Sequence, residues 1–210
     1  MAGFKTHLTG GVVSGAGISA LGLVSYNFNM LQASSIFILG VVGGILPDLD
    51  SDSGKPLALI FGILSVLIPT LLLPRITDSK IISPEFLVCY FVGGYLIINY
   101  LICGLIKKLT IHRGIMHSIP FAILSGEAGY LLFISSSQNM AEMVGLSVFA
   151  GCMGHLILDE LNSISFKFGL IPVWKRSSGT AFKITSGNLF ATLFVYCLVF
   201  GAAAMIFLAS

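Results

Sequence analysis

Charged side chains are scarce in this sequence. Only 10% of its 210 residues are Asp, Glu, Lys or Arg, whereas 56% are hydrophobic. Soluble domains carry about 25% charged residues, so the composition excludes an ordinary soluble domain and indicates an integral membrane protein. The net charge of +2 is small and dispersed along the chain. It gives no basic surface for nucleic acid, and we expect no nucleic-acid partner.

Cysteine is also rare, and its spacing excludes two more classes of protein. The sequence has four cysteines, Cys89, Cys103, Cys152 and Cys197, each inside an apolar run, and no CxxC pair. Scattered thiols of this kind favour neither a disulfide framework nor a zinc finger. We therefore predict four free thiols that act as small, core-filling side chains.

Several catalytic and metal-binding motifs are missing. There is no HExxH, which excludes a zincin-type site, and no GxSxG nucleophile elbow. The stretch DLDSDSG resembles the start of a calcium loop, but its glycine, Gly54, comes one position late. The twelfth position of that loop is Leu59 rather than glutamate, so the sequence does not predict an EF-hand.

Long apolar runs dominate what is present. Each is close to the ~17–25 residues that a helix needs to cross a bilayer. The runs cover residues 8–24, 29–46, 57–73, 85–106, 118–134, 143–158 and 189–208. Several are short and rich in glycine, so one or two of these seven are expected to be re-entrant or tilted rather than to span the bilayer directly. The sequence predicts an all-α, polytopic transmembrane helical bundle that forms one membrane-embedded domain over residues 1–210.

The basic residues predict how this bundle is oriented. Seven spans place the N-terminal tail and the connections 47–56, 107–117 and 159–188 on one side of the membrane. These segments hold nine of the eleven Lys and Arg residues, and only Arg75 and Lys80 lie on the other side. By the positive-inside rule the first side is cytoplasmic, with the N-terminus inside and the C-terminus outside.

The same alternation gathers the candidate site residues on one face. All four histidines of the chain fall on the predicted cytoplasmic side, together with four of its aspartates. They are His7, Asp48, Asp50, Asp52, His112, His117, His155 and Asp159. Segments that are far apart in the sequence therefore deliver imidazoles and carboxylates to one end of the bundle.

The pair His155 and Asp159 is spaced i, i+4 in the stretch GHLILDELN. That spacing puts both side chains on one helix face, about one turn apart, where they can hold a single metal ion. An isolated HxxxD is nonetheless common in sequences, and it is not specific for a metal. Cys152 lies about one turn earlier and is expected to pack rather than coordinate.

The stretch HRGIMHS has a different geometry. His112 and His117 are five residues apart, which does not suit one face of a regular helix, and Gly114 supplies a break between them. We expect His112 and Arg113 on a connecting loop and His117 on the first turn of the next helix. The planar guanidinium of Arg113 suits a phosphate or carboxylate, although a topology anchor at the membrane surface is an equal alternative.

Three aspartates follow directly on an apolar run, at Asp48, Asp50 and Asp52. If the preceding helix ends there, these acids lie at the negative pole of its dipole. They also repel one another, and Lys55 is the one cation close to them in the sequence. A bound cation would offset both penalties.

Taken in order, these motifs resemble those of the YdjM-like inner-membrane proteins, which are described as membrane-bound metal-dependent hydrolases. The family patterns are PDxD, HRGxxHS and GxxxHxxxD, and here they fall at 47–50, 112–118 and 151–159. The resemblance extends from His7 to about Pro172 and includes a later Gly169. It implies a multi-pass protein of the inner (plasma) membrane with a single hydrolase-like domain.

The resemblance and the shared face together suggest one metal cluster. Its predicted ligands are His7, Asp48, Asp50, His112, His117, His155 and Asp159, with Asp52 peripheral. Seven nitrogen and oxygen ligands suit zinc or manganese, with magnesium also possible, and they accommodate two divalent ions more easily than one. Catalytic roles are expected for His112, Arg113 and Asp50, and His112 is either a ligand or a general acid–base.

These inferences predict an enzyme, a metal-dependent hydrolase. Its expected substrate is a phosphoester of a membrane lipid or lipid-linked molecule, because the bilayer delivers such molecules to a site at the cytoplasmic face. Two alternatives remain open. One is a transporter or metal-binding membrane protein without hydrolytic activity, and the other is a scaffold that keeps the ligands for stability.

Overall fold

The structure is a computed structural model that describes residues 3–50, 54–76, 83–104, 115–167, 171–174 and 182–209. Side chains are described in these ranges except at 49–50, 54–59, 164–167 and 171–174. The described helices are α1 (Phe4–Tyr26), α2 (Met30–Ile45), α3 (Gly54–Ile76), α4 (Pro84–Leu96), α5 (Ile119–Phe133), α6 (Gln138–Leu161) and α7 (Leu189–Ala209). A 3-10 turn, Leu46–Asp50, extends α2, and a π-helical segment, Ile97–Ile102, extends α4.

Each of the seven predicted apolar runs coincides with one of these helices, which confirms the helical membrane bundle. Within the described residues, five helices are long and apolar enough to cross a membrane: α1, α2 with its extension, α4 with its extension, α6 and α7. The described apolar part of α3 (Ile60–Ile76) and α5 are shorter. The number of spans therefore stays a prediction. The helix predicted at 143–158 is longer than expected, since α6 begins at Gln138 and ends at Leu161.

Polar side chains at the helix starts explain where several helices begin. Asn29 and Gln32 form a capping box at α2, in which each side chain accepts a hydrogen bond from the other residue's backbone N–H. Ser118 caps α5, since its hydroxyl accepts from the N–H of Phe121 at 3.3 Å. The sequence analysis expected His117 inside the first turn of that helix. The structure instead places it just before the cap.

The centre of the bundle is the three-way contact of α1, α2 and α6. Its helices touch through their backbones, because glycines remove the side chains that would separate them. A Cβ on Gly44 would lie 2.6 Å from the Cα of Gly11, and a Cβ on Gly151 would lie 2.8 Å from the backbone nitrogen of Gly44. The buried apolar core next to this contact includes Ile36 and Val144.

Two sequence-based expectations are corrected by the structure. The connection 159–188 is more than a loop, because it contains an antiparallel pair of short strands, β1 (Ile164–Lys167) and β2 (Ile171–Trp174). All four cysteines are free, as predicted, but only Cys103 and Cys152 are buried. Cys89 and Cys197 lie on exposed sides of α4 and α7, where an apolar thiol is accommodated by lipid rather than by a protein core.

Candidate metal centre

Five of the predicted ligands converge at one end of the bundle, and four separate segments of the chain bring them there. His7 lies in the first turn of α1, and Asp48 lies in the 3-10 turn that extends α2. His117 precedes α5, while His155 and Asp159 occupy the last two turns of α6. The common face inferred from alternation of the spans is thus reproduced for these five residues.

The nitrogen and oxygen atoms of these side chains face one another across short gaps. Nε2 of His7 is 3.3 Å from Oδ1 of Asp159. Nε2 of His155 is 3.7 Å from Oδ1 of Asp48 and 4.0 Å from Oδ2 of Asp159. Nε2 of His117 is 3.9 Å from Oδ1 of Asp48 and 3.8 Å from Oδ2 of Asp159. The rings of His7 and His155 stack with centroids 3.6 Å apart.

The protonation of His155 is fixed by its backbone partner. Its Nδ1 lies 2.8 Å from the carbonyl oxygen of Gly44, which can only accept a hydrogen bond. Nδ1 therefore carries a proton, and in the neutral ring the lone pair is on Nε2. That lone pair faces the carboxylates of Asp48 and Asp159. A histidine whose far nitrogen donates to a carbonyl while Nε2 faces carboxylates has the arrangement of a metal ligand.

The cluster is withdrawn from solvent. His7, His117 and His155 are at most 3% exposed, and Asp159 is 8% exposed. Two carboxylates in such surroundings are costly unless a positive charge compensates them. Among the described residues, Nε2 of His155 has no hydrogen-bond partner. The centre therefore combines two carboxylates with an available nitrogen lone pair, and a cation would interact favourably with both.

The spacing of the donor atoms fits a metal ion. Two overlapping groups have their ligand atoms within 4.8 Å of one another: His7, Asp48 and His155, and His117, His155 and Asp159. Two ligands that bind one ion at about 2.1 Å lie roughly 3.4 Å apart at a tetrahedral angle. The separations of 3.3–4.0 Å measured here are close to that value. Both groups include His155, so that residue is central to the arrangement.

The remaining predicted site residues cannot be placed in the centre. His112, Arg113 and Asp52 lie outside the described residues. Asp50 has a described backbone in the 3-10 turn, but its side chain is outside the described part. Their assignment as ligands or catalytic groups therefore stays a prediction.

Two features near the centre were missed by the sequence analysis. The first is the Gly44 carbonyl that orients His155, and the glycine pair Gly43–Gly44 at the end of α2 was its available signal. The second is a backbone contact of the segment before α7, in which the N–H of Ile119 donates to the carbonyl of Lys183 at 3.0 Å. This contact holds the 182–188 segment beside the start of α5, and no motif indicated it. Cys152 packs as expected, with Sγ 3.1 Å from the Gly43 carbonyl oxygen.

A half-buried glutamate of α5 is separate from this centre. Glu127 lies midway along α5 and lines a cavity of about 340 Å³ together with Glu142 of α6. Neither of the two His/Asp groups found among the described residues includes it. Glu127 is therefore not among the candidate ligands.

Fold and site together define a helical membrane protein with a buried His/Asp cluster at one end of its bundle. The model of the family described as YdjM inner membrane protein matches residues 1–210, so the chain belongs to this family. The resemblance drawn from the sequence motifs is thereby confirmed, and so is a membrane location. No curated protein sequence and no solved structure matches the chain.

Proposed function

We propose that the His/Asp cluster binds divalent metal and that the protein is a membrane-embedded metal-dependent hydrolase. The observation that carries the proposal is the orientation of His155. Its Nδ1 donates to the Gly44 carbonyl at 2.8 Å, so its Nε2 lone pair faces two carboxylates in a buried site. Without a cation, this arrangement places a lone pair against negative charge, which is unfavourable in a low-dielectric environment.

Four elements of the chain contribute to holding the metal. His7, Asp48 and His155 form one set of donors, and His117 and Asp159 complete a second set with His155. The stacked rings of His7 and His155 hold each other in position, and the Gly44 carbonyl fixes the His155 tautomer. A divalent metal in such a site supplies Lewis acidity toward a phosphoryl oxygen and activates water as a nucleophile.

The substrate we propose is a phosphoester of a membrane lipid or lipid-linked molecule. The cluster lies at the ends of α1, α2 and α6 rather than midway along them, which suits a headgroup better than a conduction path. Oxygen and nitrogen donors without sulfur suit zinc, manganese or magnesium, and each of these ions occurs in phosphoester hydrolysis. Arg113, from the HRGIMHS motif, is proposed to hold the phosphate.

Metal content per chain tests the binding step. Purified protein in detergent should contain zinc or manganese by elemental analysis, or should bind one of them on titration. His155→Ala and Asp159→Ala should both lose it, since each removes a donor atom from the groups that would hold the ion. Glu127→Gln is the matched control, because it changes a half-buried acid of α5 outside the cluster. Wild-type protein that neither carries nor binds metal would refute the proposal.

Hydrolysis is tested separately from binding. Metal-loaded protein should release phosphate or a headgroup from one member of a panel of phospholipids and phosphomonoesters, and His155→Ala should not. Protein that binds metal but hydrolyses none of the panel would instead be a metal-binding membrane protein without this activity. That result would leave the cluster intact and overturn the enzymatic part of the proposal.

The side of the membrane is tested by cysteine labelling in whole cells. We propose a cytoplasmic site because nine of eleven basic residues lie on that face in the seven-span arrangement. Thiols introduced at Ser53, Lys108 or Ser177 should resist a reagent that cannot cross the membrane, and they should react after the cells are opened. Strong labelling of intact cells at any one of these positions would contradict the shared cytoplasmic face.

A further inference from the structure

A groove of about 490 Å³ runs along the outside of the contact between α1 and α6. From α1 it is lined by three pairs of neighbouring residues that repeat every four positions, and from α6 by residues of the last two turns. The lining residues are Lys5, Thr6, Thr9, Gly10, Val13, Ser14, Gly154, Ile157 and Leu158. The spacing shows that the groove follows the long axis of α1, from the helix end that carries His7 into the membrane-spanning part.

The groove is separate from the metal centre, although the same two helices form both. Residues two apart in an α-helix point about 200° apart, so Lys5 and Thr9 lie on the opposite side of α1 from His7. On α6, Leu158 lines the groove, while its neighbour Asp159 faces the cluster. No groove residue belongs to either His/Asp group of the described residues.

The two ends of the groove differ in polarity. One end carries the ammonium group of Lys5 and the hydroxyl of Thr6, both exposed at the end of α1. The other end is lined by the apolar side chains of Val13 and Ile157, which are exposed on the outside of the bundle. No carboxylate is among the lining residues, and Lys5 is the one charged side chain that lines the groove.

Small residues give the groove its depth. Gly10 and Gly154 lie where α1 and α6 cross, and a Cβ on Gly154 would be 3.0 Å from the hydroxyl oxygen of Ser14. From Lys5 to Ser14 the helix rises about 13 Å, at 1.5 Å per residue, which is close to the roughly 15 Å hydrocarbon depth of one leaflet. The groove thus matches a lipid in length, in depth and in polarity.

We propose that this groove binds one acyl chain of an anionic phospholipid whose phosphate lies against Lys5 and Thr6. A zwitterionic lipid fits the apolar part equally well but gains less from a lone lysine, because its headgroup carries no net negative charge. The inference goes beyond the proposed hydrolase, since it needs neither bound metal nor turnover. It assigns a resident or regulatory lipid to a defined place on the protein surface.

Photo-crosslinking with full-length protein tests the site directly. The probe is phosphatidylglycerol with a diazirine in its acyl chain, reconstituted with the protein in phosphatidylcholine nanodiscs. Labels should concentrate on peptides that contain Val13–Ser14 and Ile157–Leu158, and excess phosphatidylglycerol should compete while phosphatidylcholine should not. Labels spread evenly over the exposed faces of α4 and α7 would mean ordinary boundary lipid and would overturn the proposal.

Matched variants separate the headgroup from the acyl chain. Lys5→Ala should lower crosslinking at the groove about fivefold, whereas Lys183→Ala, which removes the same charge elsewhere, should not change it. Ser14→Phe should block the groove, and Ala20→Phe on an exposed position of α1 is its control. Val13→Phe is a second blocking variant at a position that is 67% exposed, where a larger side chain does not disturb packing. Undiminished labelling in both folded blocking variants would contradict the site.

Discussion

Helices α4 and α6 have the same mean hydropathy over their apolar spans, but they occupy opposite environments. In α6, 56% of the positions in the span are buried inside the protein, against 6% in α4 with its π-helical extension. Hydropathy therefore explains why both helices are in the membrane and says nothing about which of them is central. In lipid, helix association depends on close packing and polar contacts rather than on the hydrophobic effect.

The close approach of neighbouring helix backbones accounts for much of this difference in burial. In α6, a Cβ on Gly145 would lie 2.9 Å from the carbonyl oxygen of Gly126 on α5, and Gly151 approaches the backbone of α2 even more closely. In α4, a Cβ on Gly93 would meet no atom within 4 Å. A Cβ on Gly94 of α4 would meet a side chain, the ring of Pro69 on α3, at 2.9 Å, whereas the central helix uses its glycines for contact with neighbouring backbone. The same contact positions His155 beside the Gly44 carbonyl.

Filling the central contact should have the largest effect on stability. In Gly151→Leu the new side chain would overlap the backbone of Gly40 and Gly44, and backbone cannot move aside as a flexible side chain can. We expect a loss of about 3 kcal/mol or more in the free energy of unfolding, or failure to fold. Thermal unfolding in detergent measures it. Gly93→Leu is the control, and equal damage from both variants would refute the distinction between the two helices.

Removing the metal should have the next largest effect on stability, and this effect should be confined to one region of the bundle. This expectation rests on the proposed metal centre. A ligand present at 100 times its dissociation constant stabilises the folded state by about 2.7 kcal/mol, so a chelator should lower the melting temperature. Amide hydrogen exchange should accelerate around His155–Asp159 and around Asp48, and should be unchanged in α4. Uniform acceleration in all helices would show that the chelator acts on the whole bundle rather than on the cluster.

A smaller effect is expected where α3 meets the end of α5. The guanidinium of Arg75 donates to the carbonyl oxygen of Leu132 at 3.1 Å and to the hydroxyl of Ser135 at 3.1 Å. A third hydrogen bond goes to the carbonyl of Leu131, so one cation satisfies the exposed carbonyls at the negative end of α5. Arg75→Ala should cost about 1–2 kcal/mol, measured by chemical unfolding.

Arg75→Lys separates charge from geometry at this position. Lysine keeps the favourable interaction with the helix dipole but lacks the planar fork that reaches several acceptors. We expect Arg75→Lys to lower the free energy of unfolding, but by less than Arg75→Ala does. A lysine variant as unstable as alanine would show that the hydrogen bonds, rather than the charge, stabilise this junction.

The smallest expected effect on stability concerns two serine hydroxyls. One donates a hydrogen bond to a neighbouring helix, and the other donates within its own helix. Ser147 of α6 is fully buried and donates to the carbonyl of Ile36 on α2 at 2.8 Å. Ser35 donates at 3.0 Å to Leu31, one turn earlier in its own helix. Ser147→Ala should cost about 1 kcal/mol, and Ser35→Ala about zero, by thermal unfolding. Equal losses would mean that the link between α2 and α6 contributes nothing of its own.

The helices and the shared face of the ligands could be predicted from the sequence because both depend on local pattern. Apolar length gives the spans, and alternation across the membrane places His7, Asp48, His117, His155 and Asp159 at one end. The three-dimensional neighbours of each helix could not be predicted in this way. They depend on which glycines of different helices come into contact. The spacing of glycines within one helix does not identify the partner helix.

Local fine structure was also beyond the sequence analysis. The tautomer of His155 depends on a carbonyl 111 residues away, at Gly44, and no side-chain pattern encodes it. The β1–β2 hairpin is short, and its two runs lie in a stretch that periodicity alone assigns to a loop. The exposure of Cys89 and Cys197 follows from the peripheral positions of α4 and α7, which hydropathy does not reveal.

The turn between α1 and α2 has a consequence for how the protein is made. Asn27 adopts a left-handed conformation with φ of 51°, and the capping box at Asn29 starts α2 almost at once. So short a turn makes the two helices an antiparallel hairpin, whose helices can pack together as soon as both have been synthesised. The hairpin carries His7 and Asp48 at its open end, whereas His155 and Asp159 are synthesised about a hundred residues later. The ribosome therefore delivers two of the five converging side chains early, and the centre is complete only after α6 has docked.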